Sequence, residues 1–295
     1  MPERIDQPIN QATTAPSAKA ARRISARFAE LSRACELGIV AYITVGDPSL
    51  DATEKIVLAA ADAGADVIEL GVPFSDPVAD GPVIQRAGER ALRGGTTLAK
   101  VLDLVARLRR STQVPLVIFS YFNPILQMGL EKFAAQAAQS GADGVLVTDL
   151  TLEEATEYRA LLQAHNLDTI FLAAPTSTDT RLAQISAATT GFLYLVSRTG
   201  VTGTREALPA ELPALVRRVR KFTSLPIAVG FGISLPTHVT VLGGIANAAV
   251  VGSALMAAVE KADSGDAAAA AVADLVRTLK NAARSGVSRR SIEGA

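Results

Sequence analysis

Eight short apolar runs, each followed by an amphipathic helical pattern, fill the chain from residue 39 to about 252. The runs fall at 39–45, 66–71, 115–121, 144–148, 168–173, 191–196, 226–230 and 247–251. Helical periodicity occupies the gaps, near 51–63, 97–110, 130–139, 152–164, 179–187, 209–221, 235–242 and 253–261. Each run is almost continuously apolar rather than alternating, as a strand covered on both faces must be. Strands that alternate with helices predict a parallel sheet, and eight regular units predict closure into a single-domain α/β fold, the (β/α)8 or TIM barrel. An open doubly wound sheet also alternates, but no Gly-x-Gly-x-x-Gly follows the first strand. Residues 22–36 predict an extra N-terminal helix closing the barrel floor, and 264–284 an Ala-rich C-terminal helix. The expected organisation is a disordered leader at 1–21, a barrel over 22–284 and a polar tail at 285–295.

Charge and composition narrow the partners. With 29 basic and 29 acidic residues the formal net charge is zero, which argues against nucleic acid or an anionic membrane surface. No run of eighteen apolar residues offers a membrane span. The first twenty residues lack the apolar centre of a signal peptide. Cys35 is the only cysteine, so no intrachain disulfide forms and a reducing, cytoplasmic setting is expected. Cys35 itself reads as a small packed residue of the run 25–36. Two basic clusters, Arg107/Arg109/Arg110 and Arg217/Arg218/Arg220/Lys221, end helical patterns and read as solvated complements of the helix dipole. His165 and His238 are far apart in sequence, so no His/Cys metal site is expected.

On a barrel, chemistry concentrates where strands end and the following loops begin. The second strand carries one carboxylate, Glu69, inside an apolar run. An ionisable group there is costly unless it is paired or used. The following segment, 72–96, reads as a loop far longer than usual, and long loops in compact domains are usually functional. It holds two more acids, Asp76 and Asp80, among turn formers; capping of the next helix is the plainer reading of both. Acids on different elements can be given different environments, which acid/base chemistry at neutral pH requires. The sixth strand ends in a second long loop, Ser197 to Arg205, with Gly200 and Gly203. The seventh ends in Gly230-Phe-Gly232 and the eighth in Gly252-Ser253, which opens a helix. Three glycine-bearing loops on one side of the mouth, beside a helix start, predict a phosphate site.

These residues resemble a known family. Glu69-Leu-Gly-Val-Pro-Phe-Ser-Asp-Pro-Val-Ala-Asp-Gly-Pro82, Tyr121-Phe-Asn-Pro124, Asp143-Gly-Val-Leu-Val-Thr-Asp149, Ser197-Arg-Thr-Gly-Val-Thr-Gly203 and Gly230-Phe-Gly-Ile-Ser234 are similar to the motifs of tryptophan synthase alpha chains. The resemblance covers about residues 25–280. It implies retro-aldol cleavage of indole-3-glycerol phosphate, with no metal or organic cofactor in this chain and with Glu69 and Asp80 catalytic. It implies an indole pocket from Tyr42, Phe119, Leu146 and Phe231, with Tyr121 and Tyr194 beside it, although Leu146 alone also suits ordinary barrel packing. It implies phosphate contacts from Gly203, Gly232, Gly252 and Ser253, with Thr202 poised to meet Asp80. Finally it implies an α2β2 complex with a pyridoxal-phosphate β subunit, met by Pro73, Asp76, Pro77 and Asn123. The alternatives are a stand-alone lyase releasing free indole, or a catalytically dead regulatory barrel. Two positions depart from the family: Tyr42, where phenylalanine is frequent, and Thr151, where many relatives have proline.

Overall fold

The computed structural model describes residues 22–197, 208–230 and 232–293, with side chains through residue 284. In chain order the elements begin α1 (Arg23–Arg33), β1 (Gly38–Thr44), α2 (Leu50–Asp62), β2 (Val67–Gly71), α3 (Pro82–Arg93), α4 (Leu98–Leu108) and β3 (Leu116–Ser120). Next come α5 (Phe122–Met128), α6 (Leu130–Ser140), β4 (Gly144–Val147), α7 (Thr156–Ala164), β5 (Asp168–Ile170), β6 (Leu172–Ala173) and α8 (Asp179–Ala188). The series ends with β7 (Leu193–Val196), α9 (Leu212–Arg220), β8 (Ile227–Gly230), α10 (Pro236–Leu242), β9 (Ala248–Val251), α11 (Ser253–Glu260) and α12 (Gly265–Glu293).

All strand pairs are parallel, in the order β5-β4-β3-β2-β1-β9-β8-β7-β6. β5 and β6 are the halves of the single strand expected at 168–173, interrupted at Phe171. Thr190 N–H donates to the Thr169 carbonyl at 2.8 Å and Tyr194 N–H to that of Phe171 at 3.2 Å. Those bonds carry the ladder across the interruption, and the barrel closes.

Side chains alternate across each strand, so two cores form. One lies between strands and outer helices. The other fills the barrel: Val40, Val67, Val117, Leu146, Ile170 and Ala228 pack there with Ile24, Phe28 and Leu31 of α1. Those three recur at helical spacing, so α1 plugs the floor with one apolar face, and Phe28 stacks on Phe192 at 5.6 Å. Beside that face, arginines at the start of α1 reach buried acids at the strand starts. Arg22 pairs with Asp168, Arg23 with Asp143 at 2.9 Å and Arg27 with Asp66 at 2.6 Å. From α12, Lys280 reaches the same Asp66 at 2.8 Å.

Four expectations need correction. Residues 72–96 are not all loop, because α3 occupies half of them; its buried stripe is Ile84, Ala87, Gly88 and Ala91, helical in spacing but nearly all small. The short helix α5 was also not anticipated; Asp149 accepts from its first N–H, that of Phe122, at 2.7 Å. Cys35 is exposed rather than packed. It takes the left-handed position after α1, with φ 54°, where the bond from Glu36 N–H to the Leu31 carbonyl ends the helix. Arg109 is not solvated either: it bonds the carbonyls of Gly141, Thr112 and Val114 and pairs with buried Asp143 at 2.8 Å.

Candidate active site

Glu69 lies inside the barrel, in register between Tyr42 of β1 and Val117 of β3. It is 0% exposed, and neither carboxylate oxygen has a hydrogen-bond partner among the described residues. Burial pushes it up to about 8, so it holds a proton at neutral pH. Its neighbours shape the cavity. The rings of Tyr42 and Phe119 meet edge to face at 5.1 Å. The Tyr42 hydroxyl lies over Gly71, and a Cβ there would stand 2.2 Å from it. Tyr194 does the same over Gly230, also at 2.2 Å. Only glycine leaves room for these hydroxyls. Burial first, and then the nearby carboxylates, push both phenols up; they stay protonated.

Asp80 ends the segment between β2 and α3, one residue before the helix N-cap, Gly81. Burial raises it to about 6, while a hydrogen bond from the Tyr121 hydroxyl acts in the opposite direction. That hydroxyl also accepts from the Ala79 N–H at 2.9 Å, and the Tyr121 ring packs on Phe74 at 5.1 Å. Tyr121 thus holds the acidic segment at both its start and its end. The two acids are separated in affinity for a proton: near neutrality Glu69 is protonated and most of Asp80 is ionised, the division of labour that acid/base catalysis uses.

A cavity of about 250 Å³ joins them. Its acid end is formed by Tyr42, Glu69, Asp80, Phe119 and Tyr194. At its other end stand Gly232, Ile233, Gly252 and Ser253. Gly252 is the N-cap of α11, which has no side-chain cap and no acidic residue in its first turn, a helix start suited to an anion. No lysine or arginine lines the cavity among the described residues. Nor do those residues hold a cluster of three or more His, Cys, Asp or Glu side chains suited to a metal ion.

The cavity thus gathers Tyr42, Glu69, Asp80, Phe119, Tyr194, Gly232, Gly252 and Ser253 of the residues singled out from sequence. Two others stand elsewhere. Leu146 is in the barrel interior with the floor residues and does not line the cavity. Tyr121 stands behind Asp80 rather than in the wall. Thr202, Gly203 and Phe231 lie outside the described residues. Of the expected partner contacts, Asp76 and Asn123 are exposed and Pro77 half-buried, but Pro73 is buried and presents no surface. Asp76 caps no helix; it accepts from the Ser75 hydroxyl. Thr151 donates to Glu154 at 2.8 Å on the surface. Sequence reasoning missed Ile84, Thr148, Leu172, Val196 and Val250, which also line the cavity. Most of these end strands in the inward register that Glu69 defines, and counting by twos from the strand cores finds Leu172, Val196 and Val250.

Comparisons with known proteins agree with this geometry. The family model described as Tryptophan synthase alpha chain matches residues 28–284. The tryptophan synthase alpha chain of Solibacter usitatus is 51% identical over 258 residues, 88% of this chain and 97% of that one. That of Citrifermentans bemidjiense is 52% identical over 239 residues, covering 81% and 90%. Among solved structures, Mycobacterium tuberculosis tryptophan synthase superposes with a TM-score of 0.83 at 34% identity, covering 90% of this chain and 99% of that one. Tryptophan synthase subunit alpha from Legionella pneumophila gives 0.82 at 35% identity, covering 89% and 98%.

Proposed function

This chain belongs to the tryptophan synthase alpha chain family, and we propose that Glu69 and Asp80 carry its reaction. That reaction is the cleavage of indole-3-glycerol phosphate to indole and glyceraldehyde 3-phosphate, a lyase step in tryptophan biosynthesis. One observation carries the assignment of roles: two buried acids with no cation beside them among the described residues face one cavity, one holding a proton near neutrality and the other largely ionised.

Cleavage needs a place for the electrons of the breaking bond. Glu69 gives its proton to C3 of the indole, making an indolenine whose ring nitrogen is positive. Asp80 accepts the hydrogen bond from that N–H and offsets its charge. The Glu69 carboxylate then takes the proton of the hydroxyl on the carbon attached to C3. That carbon becomes the aldehyde, the C3–C bond breaks, and its electron pair restores the aromatic ring. Glu69 ends protonated, ready for another turn. Tyr42, Phe119 and Tyr194 give the flat ring an aromatic wall. The phosphate rests on the backbone N–H groups at Gly232, Gly252 and Ser253, beside the start of α11. In this reading Gly203 joins them, and Thr202 is the partner of Asp80.

The family implies a β subunit as partner. We take the assembly to be α2β2, with indole passing to a β subunit that uses pyridoxal phosphate to join it to serine, in the cytoplasm. Exposed Asp76 and Asn123, with Val78 at 79% and Leu126 at 52% exposure, support a docking face at the barrel mouth. The test is indole release from indole-3-glycerol phosphate by the full chain, with and without the β subunit from the same source. Release that the β subunit accelerates is the expected result, and Asp76→Ala should lower the accelerated rate more than the intrinsic one. Free indole release with no complex on size exclusion indicates a stand-alone lyase. No release in either assay indicates a regulatory barrel.

A further inference from the structure

Glu260 ends α11 with a negative charge, the sign that the C-terminal end of a helix disfavours. Two arginines of α3 hold it there. Arg86 reaches it through Nε and Nη2 at 2.7 and 2.8 Å, and Arg90 through Nη1 at 2.8 Å. Residues 86 and 90 are one turn apart and share a helix face. Their pairing, that of Arg86 foremost, depresses Glu260 to about 2. The remaining two donors of Arg90 turn the other way, Nε and Nη2 gripping both oxygens of Asp47 at 2.8 and 2.9 Å. Asp47 is 1% exposed, whereas Arg90 and Glu260 keep 28% and 27% of their side-chain surface.

The three partners belong to the elements that build the two ends of the cavity. Asp47 follows β1, which supplies Tyr42. Arg90 is on α3, which begins two residues after Asp80 and adds Ile84 to the wall. Glu260 is on α11, whose first turn forms the glycine end. α3 and α11 pack on each other and on β1. One guanidinium therefore ties the acid end of the cavity to its anion end, outside the cavity and without touching a bound molecule.

We propose that Arg90 is a positioning residue: forked between Asp47 and Glu260, it sets the separation between the Asp80 segment and the first turn of α11. This rests on the reading of the cavity given above. A substrate that carries an indole and a phosphate gains from both ends together only if their spacing matches its own. A planar fork fixes orientation as well as distance, which a lysine ammonium does not. The half-exposed pairs to Glu260 add little to stability in solvent, so their weight lies in geometry.

The test compares linked and unlinked ligands on the full chain. Glu260→Gln leaves the Asp47 pair intact and removes the charge by which Arg86 and Arg90 hold α11. Its kcat/KM on indole-3-glycerol phosphate should fall roughly tenfold to a hundredfold, the usual cost of misplacement by about an ångström. Indole alone and inorganic phosphate alone, titrated by calorimetry, should bind within about twofold of wild type, because each end is intact. Arg90→Lys should behave like Glu260→Gln rather than like wild type. A kcat/KM within twofold of wild type for both variants overturns the proposal. So does a loss of phosphate affinity as large as the loss in kcat/KM, since Glu260 would then only support α11. If wild type itself releases no indole, the reading of the reaction fails, and the two failures are distinguishable.

Discussion

Asp66, just before β2, and Glu69, in the middle of that strand, are three residues apart and both buried, and the fold treats them in opposite ways. At the floor, Asp66 accepts from Arg27 at 2.6 Å, from Lys280 at 2.8 Å and from the Ile39 N–H at 2.6 Å. Asp143 is likewise held by Arg23 and Arg109. At the mouth, among the described residues, Glu69 meets no donor and Asp80 meets one tyrosine hydroxyl but no cation. A buried carboxylate with its charges matched is a structural joint; one left without a cation has a raised proton affinity and is available for chemistry. Burial is nearly equal at the two ends, so the partners decide the use.

The largest effect that can break this comparison is catalytic. Glu69→Gln preserves shape and removes the transferable proton, and indole release should fall by at least ~10²–10⁴-fold while substrate still binds. Asp80→Asn should be similarly impaired, since an amide does not offset a positive ring nitrogen. Turnover within tenfold of wild type in either variant removes the roles assigned to the mouth.

Next is the floor. Asp66→Ala leaves Lys280 buried without its principal partner, although Glu36 remains 3.4 Å away. The cost should be about 3–5 kcal/mol in denaturant unfolding, with activity retained in the fraction that folds. A loss under about 1 kcal/mol would place the floor pairs with ordinary surface pairs.

A third measurement sharpens the contrast by reversing its sign. The native pKa of Glu69, about 8, lies above its ordinary 4.5. The native state therefore binds a proton that the unfolded chain releases between those values, and stability from this group falls as pH rises from about 4.5 to 8. Glu69→Gln lacks that penalty. Its advantage over wild type should grow across this window by about 3–4 kcal/mol, read as the difference in unfolding free energy at pH 5 and pH 8. Removing an acid stabilises the mouth and destabilises the floor; equal signs would contradict the comparison.

How much of this was legible in the sequence follows from the same physics. Glu69 stood out because an acid interrupts an apolar run, and the barrel because its strands are short, apolar and regularly spaced. α3 was legible only as a helix following the acidic turn, because apart from Ile84 its buried stripe is alanine and glycine, whose hydrophobic signal is weak even at helical spacing. The floor acids gave no signal of their own. Asp66, Asp143 and Asp168 each stand at a strand start, where a turn acid is ordinary, and their partners come from 27 to 214 residues away. Arg109 was misread for that reason: its helix-end position is local information, while Asp143 is not. Phe171 interrupts the fifth strand without a glycine or proline to announce it.

The smallest effect isolates Tyr121, which separates the two mouth acids from each other. Its hydroxyl donates to Asp80 and so favours the ionised form, against the burial that raises it to about 6. Ionised Asp80 and protonated Glu69 together define a bell-shaped kcat/KM, with limbs expected near 6 and near 8. Tyr121→Phe removes the hydroxyl and keeps the ring against Phe74. The acidic limb should then move upward by up to about one unit, while the limb assigned to Glu69 stays in place. The bell narrows from one side only, and at pH 7 the rate drops by up to about twofold, because less Asp80 is ionised. Substrate phosphate also titrates in this region, but it is the same for both proteins and cancels in the comparison. If both limbs move together, the two acids titrate as one coupled pair, and the separation between them belongs to the site as a whole rather than to Tyr121. If neither moves, Tyr121 only fixes the backbone at Ala79, and the proton affinity of Asp80 is set by burial alone.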